Sequence, residues 1–456
     1  MSCIVDLEKL SFPIRKKLST DLEIVPKESK YGKTESIISF DSYEENIIDH
    51  KGNGTTKYYI VVPFSYYFHH LTSILKTKFP NEDIEYPRAS GYTFECKLNR
   101  IQEEVKTETY EILNRTRSIL ISLATGMGKT FYTIFLASKL QYKVVVLCHR
   151  INLIDQWEYS IHRACPEALV QVLDSRTPLD PEGDFYIMNV ANVTKRDKKD
   201  FRDIGVLVVD EAHTICTENM SQSLFWFTPK YSIFLTATPD RTDGKGKLIE
   251  LYVGPERIER KLWRPFNVYV VNTGFKPVSK QTAQGRLDWN SVIESQSLDE
   301  NRNDLITDIV RYFRTRNFFI LCKRIEQSRI LFNKLRENGE DVDMFVGTSK
   351  KFDRNSRILI STYSKTGVGF DHPKLDAFLL AADVEEGIEQ YVGRVFRRED
   401  VVPIVFDVLD KMHTLFKHFM TRRTYYTAIG GDVKDFNMYF PEFKKWKKLF
   451  HEEKVI

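Results

Sequence analysis

The run Ala124-Thr125-Gly126-Met127-Gly128-Lys129-Thr130 holds two glycines, a lysine and two hydroxyls within seven residues. It follows the apolar stretch Ser118–Leu123 and opens a helix-like stretch, Phe131–Leu140. Glycines let a backbone turn tightly, so that successive N–H groups and a helix N-terminus face a polyphosphate. Lys129 then reaches the β and γ phosphates and Thr130 offers its hydroxyl to Mg²⁺, while Thr125, Gly126 and Gly128 line the cradle. The chemistry is binding of a nucleoside triphosphate. Leu123 stands where the fuller Gly-x-x-x-x-Gly-Lys-Thr pattern has its first glycine, so only the shorter form is met.

Three further clusters could act on such a nucleotide. Asp210-Glu211-Ala212-His213 follows the apolar run Val206–Val209. A carboxylate at a strand end beside a phosphate loop is placed to hold Mg²⁺, and the next one to polarise an attacking water. Asp210 is therefore the metal partner and Glu211 the base; taken alone, the four residues would be an ordinary helix start. In Leu235-Thr236-Ala237-Thr238-Pro239, the hydroxyls of Thr236 and Thr238 can bond His213 or Asp210 and report nucleotide state, although a Thr-Pro turn is the plainer reading. Gln390-Tyr391-Val392-Gly393-Arg394-Val395-Phe396-Arg397-Arg398 reads as a helix with Arg394 and Arg397 three apart on one face. Two guanidiniums presented together suit a transferring phosphoryl group, against the alternative of a solvated basic face.

The elements that must position these groups alternate short Val/Ile/Leu strands with helical stretches. Strands are expected at Ser118–Leu123, Lys143–Leu147, Phe185–Ile187, Val206–Val209 and Ser232–Leu235, and again at Phe318–Leu321, Val342–Phe345, Ile358–Ser361, Ala377–Ala381 and Ile404–Phe406. This is an α/β rhythm with parallel sheets covered by helices, whose ligands sit at strand C-terminal ends. Leu262–Asn303 is less regular and reads as the connector. Residues 1–95 lack the alternation and form a small accessory α+β module, with a turn at Lys51-Gly52-Asn53-Gly54, a strand at Tyr58–Val62 and a helix at Tyr66–Leu75. The organisation expected is 1–95, 96–260, 261–430 and a basic aromatic tail, 431–456.

Composition sets the outer bounds. With 67 Lys plus Arg against 63 Asp plus Glu, the net charge of +4 announces no nucleic-acid binder, so any basic surface is local. Candidates are Thr194-Lys195-Arg196 with Lys198-Lys199, the Lys245-Gly246-Lys247 loop, Arg422-Arg423 and Lys444–Lys448, each of which could equally be a solvated face. Six scattered cysteines without metal spacing argue for reduced thiols and against structural zinc. No apolar run is long enough to cross a membrane and residues 1–20 lack a signal-peptide core, which gives the expectation of a soluble, intracellular chain.

In this order the motifs resemble superfamily 2 helicases: the phosphate loop as motif I, Asp210-Glu211-Ala212-His213 as a DEAH-type motif II, Thr236-Ala237-Thr238 as motif III and Gln390–Arg397 as motif VI. The likeness is to the XPB-like and type-restriction-like branch, and to helicases of large cytoplasmic DNA viruses, the poxvirus transcript-release type included. It implies two RecA-like parallel-sheet domains in tandem, ATP and Mg²⁺ as cofactors, and catalytic roles for Lys129, Asp210, Glu211, Gln390, Arg394 and Arg397. Leu98-Asn99-Arg100-Ile101-Gln102 looks like the upstream segment whose glutamine, here Gln102, contacts adenine. Val146–Arg150 with Gln156-Trp157 resembles motif Ia, which makes Arg150 and Gln156 backbone contacts to nucleic acid. Ile360–Asp371 resembles motif V, with Thr362 toward the strand and Gly369 and Asp371 toward nucleotide. The implied activity is an ATP-dependent helicase or translocase on nucleic acid, DNA ahead of RNA, with transcription or replication machinery as partners and host cytoplasm or virion as location. A duplex translocase that remodels complexes without separating strands, and an ATP-gated clamp, stay open as alternatives.

Overall fold

The computed structural model of the chain describes residues 2–24, 37–48, 54–124, 126–236, 246–261, 263–349, 351–366, 372–385, 387–398 and 400–446. It divides into two compact units after Arg260, residues 124–126 grouping with the second.

The first unit begins with a three-stranded antiparallel sheet of β1 (Ser2–Asp6), β2 (Asp41–Ile48) and β3 (Gly54–Pro63), in the order β1-β3-β2, with helix α1 (Phe12–Asp21) beside it. The strand is longer than the Tyr58–Val62 read from sequence, and the following helix runs from Phe64 to Leu75 through a π turn at Tyr67–Leu71. Residues 51–53 of the expected turn lie outside the described residues. Cys3, Val5, Ile60, Val62, Phe64 and Leu71 are buried in one cluster with Phe225, Phe227, Leu248 and Tyr252, so the N-terminal module shares a core with the α/β fold that follows.

That fold starts with α2 (Arg100–Thr116), then β4 (Ser118–Leu123), α3 (Lys129–Leu140), β5 (Val144–Cys148), α4 (Ile151–Ala164), β6 (Val170–Leu173), β7 (Phe185–Asn189), β8 (Val206–Val209), the single turn α5 (Ala212–Ile215), β9 (Tyr231–Thr236) and β10 (Arg257–Arg260). The seven strands run parallel in the order β10-β4-β9-β8-β5-β7-β6. Central strands such as Val144–Cys148 and Val206–Val209 are buried on both faces, which is why they read as unbroken apolar runs.

In the second unit, β11 (Phe266–Asn272), α6 (Glu300–Tyr312), β12 (Phe318–Cys322), α7 (Ile325–Glu337), β13 (Val342–Phe345), β14 (Ile358–Thr362), β15 (Ala377–Leu380), α8 (Glu389–Val392), β16 (Ile404–Leu409), α9 (His413–Ala428) and β17 (Gly431–Asp435) build a second parallel sheet, ordered β13-β14-β12-β15-β16-β11-β17. Apolar clusters cover both of its faces. Two sequence expectations change here. The stretch 262–303 is no mere connector, because β11 is hydrogen-bonded between β16 and β17 and Trp289–Leu298 is helical. The final segment is not a free tail as far as residue 446, since β17 extends the sheet, Phe443 is buried and Trp446 packs on the core. Lys447 and Lys448 lie outside the described residues.

Candidate nucleotide site

Two neighbouring strands of the first sheet, β8 and β9, bring the acidic pair and a threonine to the same edge. Asp210 and Glu211 follow β8, while Thr236 ends β9. The phosphate loop leaves β4 on the other side of β9. Parallel strands in register therefore align their C-terminal ends, and the chemistry collects there.

The loop is tightly built. Gly128 has φ +81°, and a Cβ there would come within 2.5 Å of Gln102 Nε2. Any larger residue would be strained twice, by conformation and by contact. Lys129 Nζ donates to Leu123 O at 2.8 Å, so the loop closes back on the strand it left. Thr130 is half-buried on the first turn of α3. Thr125 lies outside the described residues.

Gln102 is bound into this loop. Its Nε2 donates to Gly128 O at 2.9 Å, and its Oε1 accepts from Asn99 N at 2.8 Å. Asn99 Oδ1 accepts from Gln102 N, completing a capping box, while Asn99 Nδ2 donates to Met127 O at 3.2 Å. The start of α2 and the phosphate loop are thus one hydrogen-bonded piece. The sequence does not single out Asn99 for this contact with the loop, although the Asn-x-x-Gln spacing is a helix-start signal.

The acidic pair is held in an unusual state. Asp210 is 7% exposed, and burial together with the neighbouring Glu211 pushes its carboxyl up to about 6, against the indole N–H of Trp157 and the charge of Lys129, which favour the anion. Trp157 Nε1 donates to Asp210 Oδ2 at 2.9 Å, and Glu211 N donates to Asp210 Oδ1 at 3.0 Å. Glu211 adopts φ +51°, ψ 56°, a left-handed conformation that costs about 1 kcal/mol or more for a residue with a Cβ. Strain of this kind persists where surrounding contacts over-determine it. His213 Nδ1 lies 3.0 Å from Thr236 Oγ1 and 3.4 Å from Glu211 Oε2. A chain of contacts therefore runs from β9 through His213 to the carboxylates. Thr238 lies outside the described residues.

Motif Ia divides by exposure. Cys148 is fully buried, and burial with Arg150 and His213 nearby holds His149 down to about 4, so its ring is neutral near pH 7. Arg150 is exposed at the start of α4 and Gln156 is half-buried on it. Trp157 points the other way, into the acidic pair, a role that 53 residues of sequence separation conceal.

In the second unit, Arg394 sits in a 3-10 turn, Gly393–Val395, that continues α8. Arg397 comes after that turn, so the expectation that the two arginines share one helix face is corrected: the α-helical part is four residues long and the 3-10 turn that continues it stops at Val395. What fixes the segment instead is Arg264, whose guanidinium donates to the carbonyls of Phe396, Arg398 and Val401 at 3.1, 2.6 and 2.7 Å. Burial, with Arg354 nearby, draws the Arg397 guanidinium down to about 10, still charged at neutral pH. Gln390 lies on α8, and its side chain is outside the described residues, as are Gly369 and Asp371. Thr362 ends β14 buried, with Oγ1 3.4 Å from Ser364 Oγ.

Several basic candidates are structural. Arg422 is 1% exposed and bonds both oxygens of Asp407, Asp383 Oδ1 and the carbonyl of Val384. Arg196 bonds Asp200 and the carbonyls of Asp174 and Thr177. Lys198 lies over the Trp226 ring at 4.7 Å. Lys245 is outside the described residues, whereas Lys199 and Arg423 are exposed. All six cysteines are free, five of them buried, and no described helix is long and apolar enough to cross a membrane.

Residues 95–241 match the family described as "Type III restriction enzyme, res subunit". The chain is 34% identical to "Putative helicase 161L" of Invertebrate iridescent virus 6 over 96% of its own length and 100% of the relative's. It is 25% identical to "Transcript termination protein OPG145" of Monkeypox virus over 67% and 69% of the two chains. Among solved structures, Saccharomyces cerevisiae Dbp5 bound to RNA and ADP BeF3 shares the fold at a TM-score of 0.53, with 14% identity, 78% of this chain and 94% of that one covered. With two parallel α/β sheets and this likeness over nearly its whole length, the chain belongs to the superfamily 2 helicases and groups with those of viruses such as Invertebrate iridescent virus 6.

Proposed function

We propose that the protein is an ATP-driven motor on nucleic acid, DNA ahead of RNA, that couples hydrolysis to movement along a strand. The observation that carries this reading is the meeting of the phosphate loop, the Asp210–Glu211 pair and the His213–Thr236 contact at adjacent strand ends. Two crowded carboxylates, one of them pushed toward neutrality, form a donor set that a divalent cation relieves. Thr130 and Asp210 would hold Mg²⁺, which when bound neutralises charge on the β and γ phosphates. Lys129 and the loop amides bind and orient the triphosphate. Glu211, out of the helical register, orients the attacking water and accepts its proton. Arg394 and Arg397 stabilise charge on the transferring phosphoryl group, and Gln390, Gly369 and Asp371 complete the nucleotide contacts. Contact with the strand falls to Arg150, Gln156 and Thr362, mostly at phosphates, so binding is salt-dependent and tolerant of sequence.

The test is ATP turnover with single-stranded DNA, duplex DNA and RNA as stimulators at fixed salt. Lys129→Ala and Glu211→Gln should each lower turnover by about a hundredfold or more, and full retained activity in either would sink the assignment. Arg397→Ala should lower turnover while nucleotide affinity is unchanged. The likeness to transcript termination proteins favours a second reading, a duplex translocase that releases a transcript without separating strands. Strand displacement measured beside triplex displacement separates the two.

A further inference from the structure

Helix α4 has two faces that do different things. At its start Arg150 is exposed and Ile151 is 68% exposed, with Gln156 half-buried further along. One residue later Trp157 is 1% exposed and its indole N–H ends on Asp210 Oδ2 at 2.9 Å. The other Asp210 oxygen accepts from Glu211 N at 3.0 Å, so the two bonds fix the plane of the carboxylate. Of these two donors, the peptide N–H belongs to Asp210's own loop and moves with it. The indole belongs to α4 and moves with the helix.

We infer that Trp157 is a positioning residue through which nucleic acid seated on the exposed face of α4 aims the Asp210 carboxylate at the metal–nucleotide complex, and so sets the stimulation of ATP turnover. This rests on the proposal that the chain is a nucleic-acid-driven ATPase. A shift or tilt of α4 when a phosphate backbone engages Arg150 and Gln156 carries the indole with it. The carboxylate then turns about its Cβ–Cγ bond to keep the hydrogen bond. Hydrogen bonds to a metal-ligating carboxylate orient it, and their loss commonly weakens the metal complex.

The full chain with Trp157→Phe keeps an aromatic ring and loses only the donor and some volume. Binding of a fluorescent ATP analogue is measured with Mg²⁺ and with EDTA. The affinity gained from Mg²⁺ should fall about tenfold in the variant, with affinity in EDTA changed by less than about twofold. DNA stimulation of kcat should fall by a similar factor, more than KM for ATP changes. Unaltered Mg²⁺ gain and unaltered stimulation would overturn the inference. If the parent chain shows no stimulation by any nucleic acid, the proposed function fails, while the Mg²⁺ comparison still decides whether the indole holds Asp210. If the variant binds poorly in EDTA as well, the native chain decides. Its five tryptophans give five indole N–H signals, and that of Trp157 is assigned by losing each of the other four singly as Trp226→Phe, Trp263→Phe, Trp289→Phe and Trp446→Phe. That signal should shift on adding Mg²⁺ with a non-hydrolysable nucleotide and shift again with single-stranded DNA. A stationary signal overturns the relay.

Discussion

Asp210 is destabilised by the surroundings that suit it to its proposed task. Its carboxyl is raised from the ordinary carboxylate range to about 6, burial being the larger cause and Glu211 the next. A carboxyl with a raised folded-state pKa contributes stability that is fully present below the unfolded pKa and lost as pH rises through the folded one. In EDTA, Asp210→Asn should therefore melt higher than the parent at pH 8, by a free energy on the order of 2–3 kcal/mol, and the advantage should shrink between pH 6 and 4. A difference that does not vary with pH, read from melts across that window, would show that the charge is not the source. At this scale the sequence is legible where chemistry is local. Lys129, Thr130, Asp210 and Glu211, to which the proposed function gives roles, are picked out by type and by the strand that precedes them. Trp157 does not, because its partner lies in another strand's loop and a buried tryptophan on an amphipathic helix reads as core. Arg422 misleads in the opposite direction. A paired Arg-Arg reads as surface, yet its carboxylate partners at 383 and 407 come from two other loop and strand positions.

The elements show how such residues are held. Asn99→Ala removes the cap of α2 and the Nδ2 bond to Met127 O together. It should cost about 1 kcal/mol in stability and, beyond that, weaken nucleotide binding without altering Lys129, as measured by titration beside thermal melts. An unchanged affinity would mean that the loop is set without α2. Arg422→Ala leaves the carboxylates of Asp407 and Asp383 buried without their guanidinium, and should cost about 3–5 kcal/mol. The salt dependence of nucleic-acid binding should not change, which distinguishes a core ion from a phosphate contact. Ten of the fourteen described strands in the two parallel sheets were readable, most of them because a buried parallel strand is an unbroken apolar run bounded by polar turns. Three of the four missed are edge strands. Val170–Leu173 and Arg257–Arg260 lie at the two edges of the first sheet, the one interrupted by Gln171 and the other apolar only at Ile258, and Gly431–Asp435 is an edge strand with glycine, aspartates and lysine. Phe266–Asn272 is central and apolar enough, but it sits in a stretch without helical punctuation before it.

At the scale of the molecule, composition marks residues 1–95 as a small accessory module. Composition cannot show which apolar residues serve a module's own core and which serve its neighbour's. In the structure the first residues are tied to the α/β fold by backbone: Ser2 N donates to Phe227 O at 2.8 Å, Asn81 Nδ2 to Pro229 O at 3.1 Å, and Tyr86 OH to Thr228 O. Val62 and Phe64 are fully buried in the cluster that contains Phe227, Leu248 and Tyr252, each also fully buried. Removing residues 1–86 would open those side chains to water at about 25 cal/mol per Å² of apolar surface and leave three carbonyls, those of Phe227, Pro229 and Thr228, without their partners. Such a truncation should be recovered aggregated or with a melting point lowered by many degrees, and Val62→Asp in the full chain should reproduce the effect by placing a charge in the shared core. If the truncated chain is instead soluble, monomeric and as heat-resistant as the parent, judged by light scattering and calorimetry, the module is an appendage. Its aromatic residues would then be open to serve a ligand rather than the fold.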